Sequence, residues 1–208
     1  EYFPATQVIE IAEKNGIVEK IGNYVLEHVC KFMRDFGRDF GLDSIGVNTS
    51  IQQFLVEDCV DNILKIINKN KISPNNISLE ITETLLMSSL DKMNSIILEL
   101  KKSDISIALD DFGKGCSSLN YLSNLPVDVI KVDKSLVKNI VTSPKQLLIL
   151  KSIIEMAEIN NMKVVVEGIE EEEEQKKVAS FGVDYIQGFY YAKPMPEKDL
   201  IELLESKK

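Results

Sequence analysis

Short runs rich in Ile, Val and Leu recur along this chain, and each ends on, or just before, a side chain able to hold a metal ion or a phosphate. The runs fall at residues 44–48, 77–82, 106–110, 129–133, 163–167 and 185–187. Their polar endings are Asn48, Glu80 with Glu83, Asp110 with Asp111, Lys131 with Asp133, Glu167, and Gln187. The length and β-branched content of the runs predict strands. Longer stretches at 53–70, 90–102 and 145–160 carry helical periodicity. In the last, Leu147, Leu150, Ile154, Met156 and Ala157 form one apolar stripe. Residues 8–14 and 21–36 also read as helix. Strand–helix alternation implies βαβ units, a parallel sheet and right-handed crossovers, hence an α/β fold. In such folds the C-terminal strand ends gather at one barrel mouth or one sheet edge, where active sites are built. A carboxylate at the end of a Val/Ile strand is costly to desolvate unless it is paired or binds a cation. Six such endings therefore point to one shared site.

The strand count limits the architecture. An eight-stranded barrel typically needs about 250 residues, and this chain has 208 and opens directly into helix. The sequence predicts one domain over 1–208. That domain is either a barrel whose first two strands precede Glu1 or an open six-stranded sheet. The net charge of −9 argues against a binder of DNA or RNA polymers that relies on a basic face. It leaves room for a phosphate-containing substrate met through metal ions. Cys30, Cys59 and Cys116 show no CxxC spacing and read as reduced thiols of a cytoplasmic protein. The single histidine, His28, reads as a structural or surface residue. No run of about 18 apolar residues predicts a membrane span in this segment, and no signal peptide is expected.

Asp110-Asp111 is the strongest single chemical signal. Neighbouring carboxylates repel unless a cation lies between them. A carboxylate shared between two divalent ions about 3.5–4 Å apart is the arrangement of two-metal phosphoryl hydrolases. Oxygen ligands from Asn, Glu and Asp suit Mg²⁺ or Mn²⁺ rather than structural zinc. Alone, the pair reads more simply as a helix cap followed by a surface acid. The companions at the other strand ends favour the cation.

The ordered set of motifs resembles a known family. Leu79-Glu80-Ile81-Thr82-Glu83, Ala108-Leu109-Asp110-Asp111-Phe112-Gly113, Leu125-Pro126-Val127-Asp128-Val129-Ile130-Lys131-Val132-Asp133, Val166-Glu167-Gly168-Ile169-Glu170 and Gln187-Gly188-Phe189-Tyr190-Tyr191 are similar to successive motifs of the EAL domain, the bacterial cyclic di-GMP phosphodiesterase module. The resemblance implies a TIM-barrel-like fold whose first strand is antiparallel. It implies Mg²⁺- or Mn²⁺-dependent hydrolysis of cyclic di-GMP to linear pGpG at a two-metal site. By motif, Asn48, Glu80 and Asp110 would ligate the first metal, and Asp110 would bridge to the second, with Asp111 and Glu167 beside it. Lys131 would orient the attacking water and contact substrate, and Glu167 is the family's other candidate for general base. Glu83 would brace the loop after Asp111, and Gln187 would face ligand or water at the mouth. A homodimer, and GGDEF or sensory domains in the parent protein, also follow from the resemblance. So does a parent free to carry a membrane anchor.

Two departures accompany it. The Glu-Ala-Leu signature, with its metal-ligating glutamate and substrate-binding arginine, is expected on a strand before Glu1. Without it, first-metal binding and turnover by this chain are expected to be weak, and the open sheet edges are expected to pair with another chain. The loop at 111–118 reads Asp-Phe-Gly-Lys-Gly-Cys-Ser-Ser, so Lys114 adds a cation and Cys116 removes the family's aromatic ring. These substitutions keep a second reading open: a degenerate EAL domain that binds cyclic di-GMP or a protein partner without hydrolysis. A third is a lysine-dependent aldolase using Lys131 as a Schiff base, which its acidic neighbours oppose. Phe189, Tyr190 and Tyr191 are suited either to stacking on guanine or to packing the strand end.

Overall fold

The computed structural model describes residues 4–83, 86, 90–114 and 126–207. The chain forms two compact units, Glu1–Ile81 with Leu85–Ile107, and Thr82–Thr84 with Ala108–Lys208.

The first unit holds α1 (Ala5–Lys14), α2 (Val18–Phe32), β1 (Ile45–Asn48), α3 (Ile51–Phe54), α4 (Cys59–Asn70), β2 (Ile77–Thr82) and α5 (Leu90–Lys102). β1 and β2 pair in parallel, with Ile45 opposite Ile77 and Asn48 opposite Glu80. β2 alternates in the period of a strand: Ile77, Leu79 and Ile81 are buried, and Ser78, Glu80 and Thr82 lie on the other, partly open face. α2 buries Leu26 and Cys30, and α4 buries Ile63 and Ile67. Each such apolar side chain contributes about 1.5–3 kcal/mol relative to an exposed one. Burial, with Glu27 adding to it, pushes the Cys30 thiol up to about 11, so it stays protonated and unreactive near neutral pH. His28 is exposed and its Nδ1 meets the Tyr24 carbonyl, the local structural role expected of it.

The helix expected over 53–70 is broken. Gln53 belongs to the short α3, where its Oε1 accepts the Ser50 N–H at 3.0 Å and closes a capping box. Asp58, just ahead of α4, has φ 58°, a left-handed conformation that a continuous right-handed helix excludes. Similarly, the helix expected over 21–36 is α-helical only to Phe32 and continues as a π-helical turn, Met33–Gly37.

The second unit holds β3 (Ser106–Phe112) from Ala108 onward, β4 (Val129–Val132), α6 (Lys134–Val137), α7 (Pro144–Ile159), β5 (Lys163–Val166), α8 (Glu172–Ala179), β6 (Tyr185–Ile186) and α9 (Glu197–Glu205). Its strands lie side by side in chain order, every neighbouring pair parallel. Ile130 and Val132 are fully buried, as expected where a parallel sheet is covered on its faces. α7 begins where Ser143 Oγ accepts the Gln146 N–H and Pro144 takes the first turn. It buries Leu150, Ile153, Ile154 and Ala157. The acidic run at 170–174 opens α8, and Glu174 Oε2 accepts the amides of Glu170 and Glu171 at 3.1 and 3.2 Å. Among the described residues, no helix is long and apolar enough to cross a membrane.

Candidate metal centre

Along β3 and β4, Ala108 faces Val129 and Leu109 faces Ile130, but the next matched pair is Phe112 with Val132. β3 thus places two residues, Asp110 and Asp111, where β4 has Lys131 alone. This is a β-bulge. Asp111 absorbs it with φ 58°, a region that Asp enters more readily than most side chains. Its N–H donates to Asp110 Oδ1 at 2.9 Å. Consecutive strand residues ordinarily point to opposite faces; the bulge re-aims them, and both carboxylates reach one cluster. One carboxylate oxygen from each of Asp110, Asp111 and Glu167 lies within 4.8 Å of the others. The sequence reading ended this strand at Asp110. Instead the strand continues through Phe112, and the bulge does the aiming.

Lys131 projects from β4 into the same cluster. Its Nζ lies 2.9 Å from Glu167 Oε1 and 3.2 Å from Asp110 Oδ1. Its side chain is 7% exposed, against 14% and 17% for the two partners. Parallel pairing explains the convergence. Lys131 faces Val165, so Glu167, two residues beyond, emerges on the same side of the sheet just past β5. The Glu167 N–H donates to the Val132 carbonyl at 3.0 Å.

A second cation, Lys114, lies at the rim. Its Nζ contacts Asp111 Oδ1 and lies 3.1 Å from Asp133 Oδ2. Asp133 caps the short α6 by accepting the Ser135 N–H at 2.9 Å. Burial alone would raise its carboxyl. The hydrogen bonds from Ser135 and the Lys114 ammonium outweigh that and hold it below the ordinary carboxylate range. The Asp111 hydrogen bond, joined by Asp133, holds Lys114 above the ordinary lysine range. A carboxyl lowered on folding adds stability above its unfolded pKa and loses that stability as pH falls through the folded value. Asp133→Asn, which keeps the cap but removes the charge, is therefore expected to cost about 1 kcal/mol near neutral pH. The difference from wild type should shrink in strongly acidic solution; denaturant melts across pH check it, and a pH-independent gap would refute the assignment. The sequence reading took Asp133 only as a strand-end acid and not as a helix cap, although Asp133-Lys134-Ser135 is a helix-start signal.

Four carboxylates (Asp110, Asp111, Asp133, Glu167) against two ammonium groups leave a surplus of negative charge here. The oxygen-only donor set of Asp110, Asp111 and Glu167, spaced within ligand range, fits a hard divalent cation such as Mg²⁺ or Mn²⁺. Glu83 Oε2 accepts the Gly113 N–H at 3.1 Å, directly after the bulge. Gly113 has φ 99°, which a side chain would strain. Gln187 is exposed, its N–H on the Val166 carbonyl at 2.8 Å and its carbonyl taking the Ile169 N–H at 3.2 Å. The cluster opens to a cleft of about 700 Å³ lined by Asp111, Lys114, Glu167, Gln187, Phe189 and Tyr191, among others. Phe189 and Tyr191 are 52% and 44% exposed rather than packed at the strand end. Cys116 lies outside the described residues.

In the first unit, Asn48 and Glu80 are register partners at the ends of β1 and β2. Asn48 is exposed and Glu80 partly so. The Glu80 carboxylate runs over Gly46: a β-carbon there would lie 2.2 Å from Glu80 Oε1. Gly46 escaped the sequence reading, although a glycine within a strand signals close approach.

The EAL domain family profile matches residues 1–194. The chain belongs to the EAL domain family. The bifunctional diguanylate cyclase/cyclic di-GMP phosphodiesterase MucR of Pseudomonas aeruginosa is 32% identical over 196 residues, covering 94% of this chain and 29% of MucR. The cyclic di-GMP phosphodiesterase PdeA of Borreliella burgdorferi is 32% identical over 194 residues, 93% of this chain and 29% of PdeA. This EAL chain thus spans under a third of the length of these curated relatives. Among solved structures, the MucR phosphodiesterase in complex with cyclic di-GMP superposes with TM-score 0.86 at 32% identity, over 94% of this chain and 79% of that one. The EAL domain of Mycobacterium smegmatis DcpA gives 0.82 at 27% identity, over 91% and 86%. Klebsiella pneumoniae BlrP1, solved with manganese and cyclic di-GMP, gives 0.78 at 25% identity, over 85% and 45%. The α/β, TIM-barrel-like EAL fold expected from the motifs is the fold of this chain.

Proposed function

We propose that this EAL domain hydrolyses one phosphodiester of cyclic di-GMP to linear pGpG with the help of Mg²⁺ or Mn²⁺. The observation that carries this reading is the bulge-aimed oxygen cluster of Asp110, Asp111 and Glu167 around Lys131, opening to an aromatic-lined cleft. Asp110, Asp111 and Glu167 would hold the cations, and the motif correspondence adds Asn48 and Glu80 as oxygen ligands. A bound divalent ion lowers the pKa of a coordinated water and draws charge from the phosphodiester. The chain's own residues supply the rest. Lys131, fixed by two carboxylates, offsets negative charge growing on the phosphate oxygens. Glu167 presents an acceptor for the proton of the attacking water. Phe189 and Tyr191 offer faces for guanine stacking, worth about 1–3 kcal/mol per base in single-stranded nucleic acids. Gln187 contacts ligand or water at the cleft, and Glu83 keeps the loop after Asp111 in place. A homodimer, and tethering to GGDEF or sensory domains, belong to the same proposal.

The test is incubation of the purified chain with cyclic di-GMP and Mn²⁺, with chromatography of the products. Appearance of pGpG that chelator abolishes supports the reading. Product in chelator, or none while the ligand binds, counts against it. Gly46→Ala adds a check on Glu80. The backbone tolerates alanine here, so stability should stay within about 1 kcal/mol of wild type. The Glu80 carboxylate must move, and Mn²⁺ affinity should fall about tenfold, roughly the 1.4 kcal/mol that one displaced ligand can cost. Unchanged affinity would remove Glu80 from the ligand set.

One observation favours a second reading, binding without turnover: the Lys114 ammonium lies on Asp111. Calorimetry with cyclic di-GMP in Ca²⁺, followed by a product assay in Mg²⁺, separates the two. Nothing favours imine chemistry, since Lys131 is paired with two carboxylates, the reverse of the desolvated, unpaired amine such chemistry uses.

A further inference from the structure

Lys114 is held at both ends of a short span. Its N–H donates to the Asp111 carbonyl at 3.2 Å, closing a turn directly after the bulge. Its Nζ lies between Asp111 Oδ1 and Asp133 Oδ2. The two acids differ in freedom. Asp133 is 5% exposed as a side chain, and its main chain is tied to the Phe112 carbonyl at 3.2 Å. Asp111 is 37% exposed and Lys114 is 52% exposed. Asp133 is thus a fixed anchor, and the contact with Asp111 is the one that can open. The Asp111 oxygen that Lys114 occupies belongs to the residue that also offers a ligand atom beside Asp110 and Glu167. An ammonium on the Asp111 carboxylate takes up part of its acceptor capacity and repels a divalent ion arriving at the same group.

We infer that Lys114 is an internal competitor for the cation at Asp111: a tethered ammonium that must leave Asp111, pivoting on Asp133, before a divalent ion can bind there. This rests on the proposed reading of Asp111 as a cation ligand and adds to it a control on occupancy. The domain is set to hold a second divalent ion only at higher concentration than the first. Displacement of the second ion's competitor leaves an ammonium at the rim of the cleft, where the phosphates of a cyclic dinucleotide would arrive.

The test is Mn²⁺ titration of the purified chain, read by electron paramagnetic resonance and calorimetry without substrate. Wild type, Lys114→Met, Lys114→Arg and Asp133→Asn are compared, with thermal melts verifying that each folds. In wild type, two binding steps are expected, the second weaker than the first. Lys114→Met should tighten the weaker step by about tenfold, the scale of removing one half-screened unit charge near a divalent ion. Lys114→Arg keeps the charge and should stay within about twofold of wild type. Asp133→Asn frees the lysine for Asp111 and should weaken the second step. Equal or weaker Mn²⁺ binding by Lys114→Met overturns the inference while leaving the cation site standing. Absence of Mn²⁺ binding in all four proteins overturns the cation site itself, and the inference with it.

Discussion

Asp110→Asn is expected to lower cyclic di-GMP hydrolysis by about a thousandfold or more, the scale of losing a principal charge-stabilising group in an active site. Asp110 is 14% exposed, pairs with Lys131 at 3.2 Å and accepts the Asp111 N–H. It therefore serves the cation, the lysine and the bulge together. Asparagine keeps the shape and the acceptor for the Asp111 N–H, so the fold should survive. A second signature separates a ligand from a merely structural residue. Mn²⁺ at a hundred times its Kd stabilises a binding protein by about 2.7 kcal/mol, and that rise in melting temperature should vanish in the variant. A variant that keeps either turnover or Mn²⁺ stabilisation would displace Asp110 from the centre of the site.

Lys131→Met should damage both stability and turnover, and in an ion-dependent way. Methionine fills the same space but removes the ammonium that both Asp110 and Glu167 contact in a largely buried site. Removing one partner of a buried pair leaves uncompensated charge. With residual solvent contact at both acids, the cost is expected to be about 2–4 kcal/mol. Mn²⁺ should recover much of this stability, because a divalent ion answers the same carboxylates. It should not recover turnover, which is expected to stay at least a hundredfold down. Denaturant melts with and without Mn²⁺, set beside product assays, make the comparison. Full rescue of turnover by Mn²⁺ would reduce Lys131 to a counter-ion.

Local rules made much of the fold legible. β2 and α5 lie at the positions read from periodicity, 77–82 and 90–102, because each satisfies one period without interruption. α7 begins one residue early, where Ser143 and Pro144 set its start. What escaped depends on partners distant in sequence. The break between α3 and α4 turns on a left-handed Asp58, which no apolar pattern marks. The bulge exists only in the register of β3 against β4, so the sequence could name Asp110 and Asp111 but not how both reach one point. Lys114 was visible as a departure from the family loop, yet its second partner, Asp133, comes from beyond the next strand. The strand-end acids and Lys131 were legible as chemistry because desolvated charge at a strand end needs an explanation.

The bulge also sets unequal rules for the two adjacent aspartates. Asp110 sits in ordinary strand backbone, whereas Asp111 holds φ 58°. At such an angle asparagine and glycine are comfortable and β-branched residues are not. A lineage that relinquished the chemistry of position 111 while preserving the protein would have few single-step routes, chiefly to Asn or Gly. Replacement by Val or Ile would unsettle the strand as well as the charge. Drift at this position is thus channelled by backbone geometry before selection on any ligand acts.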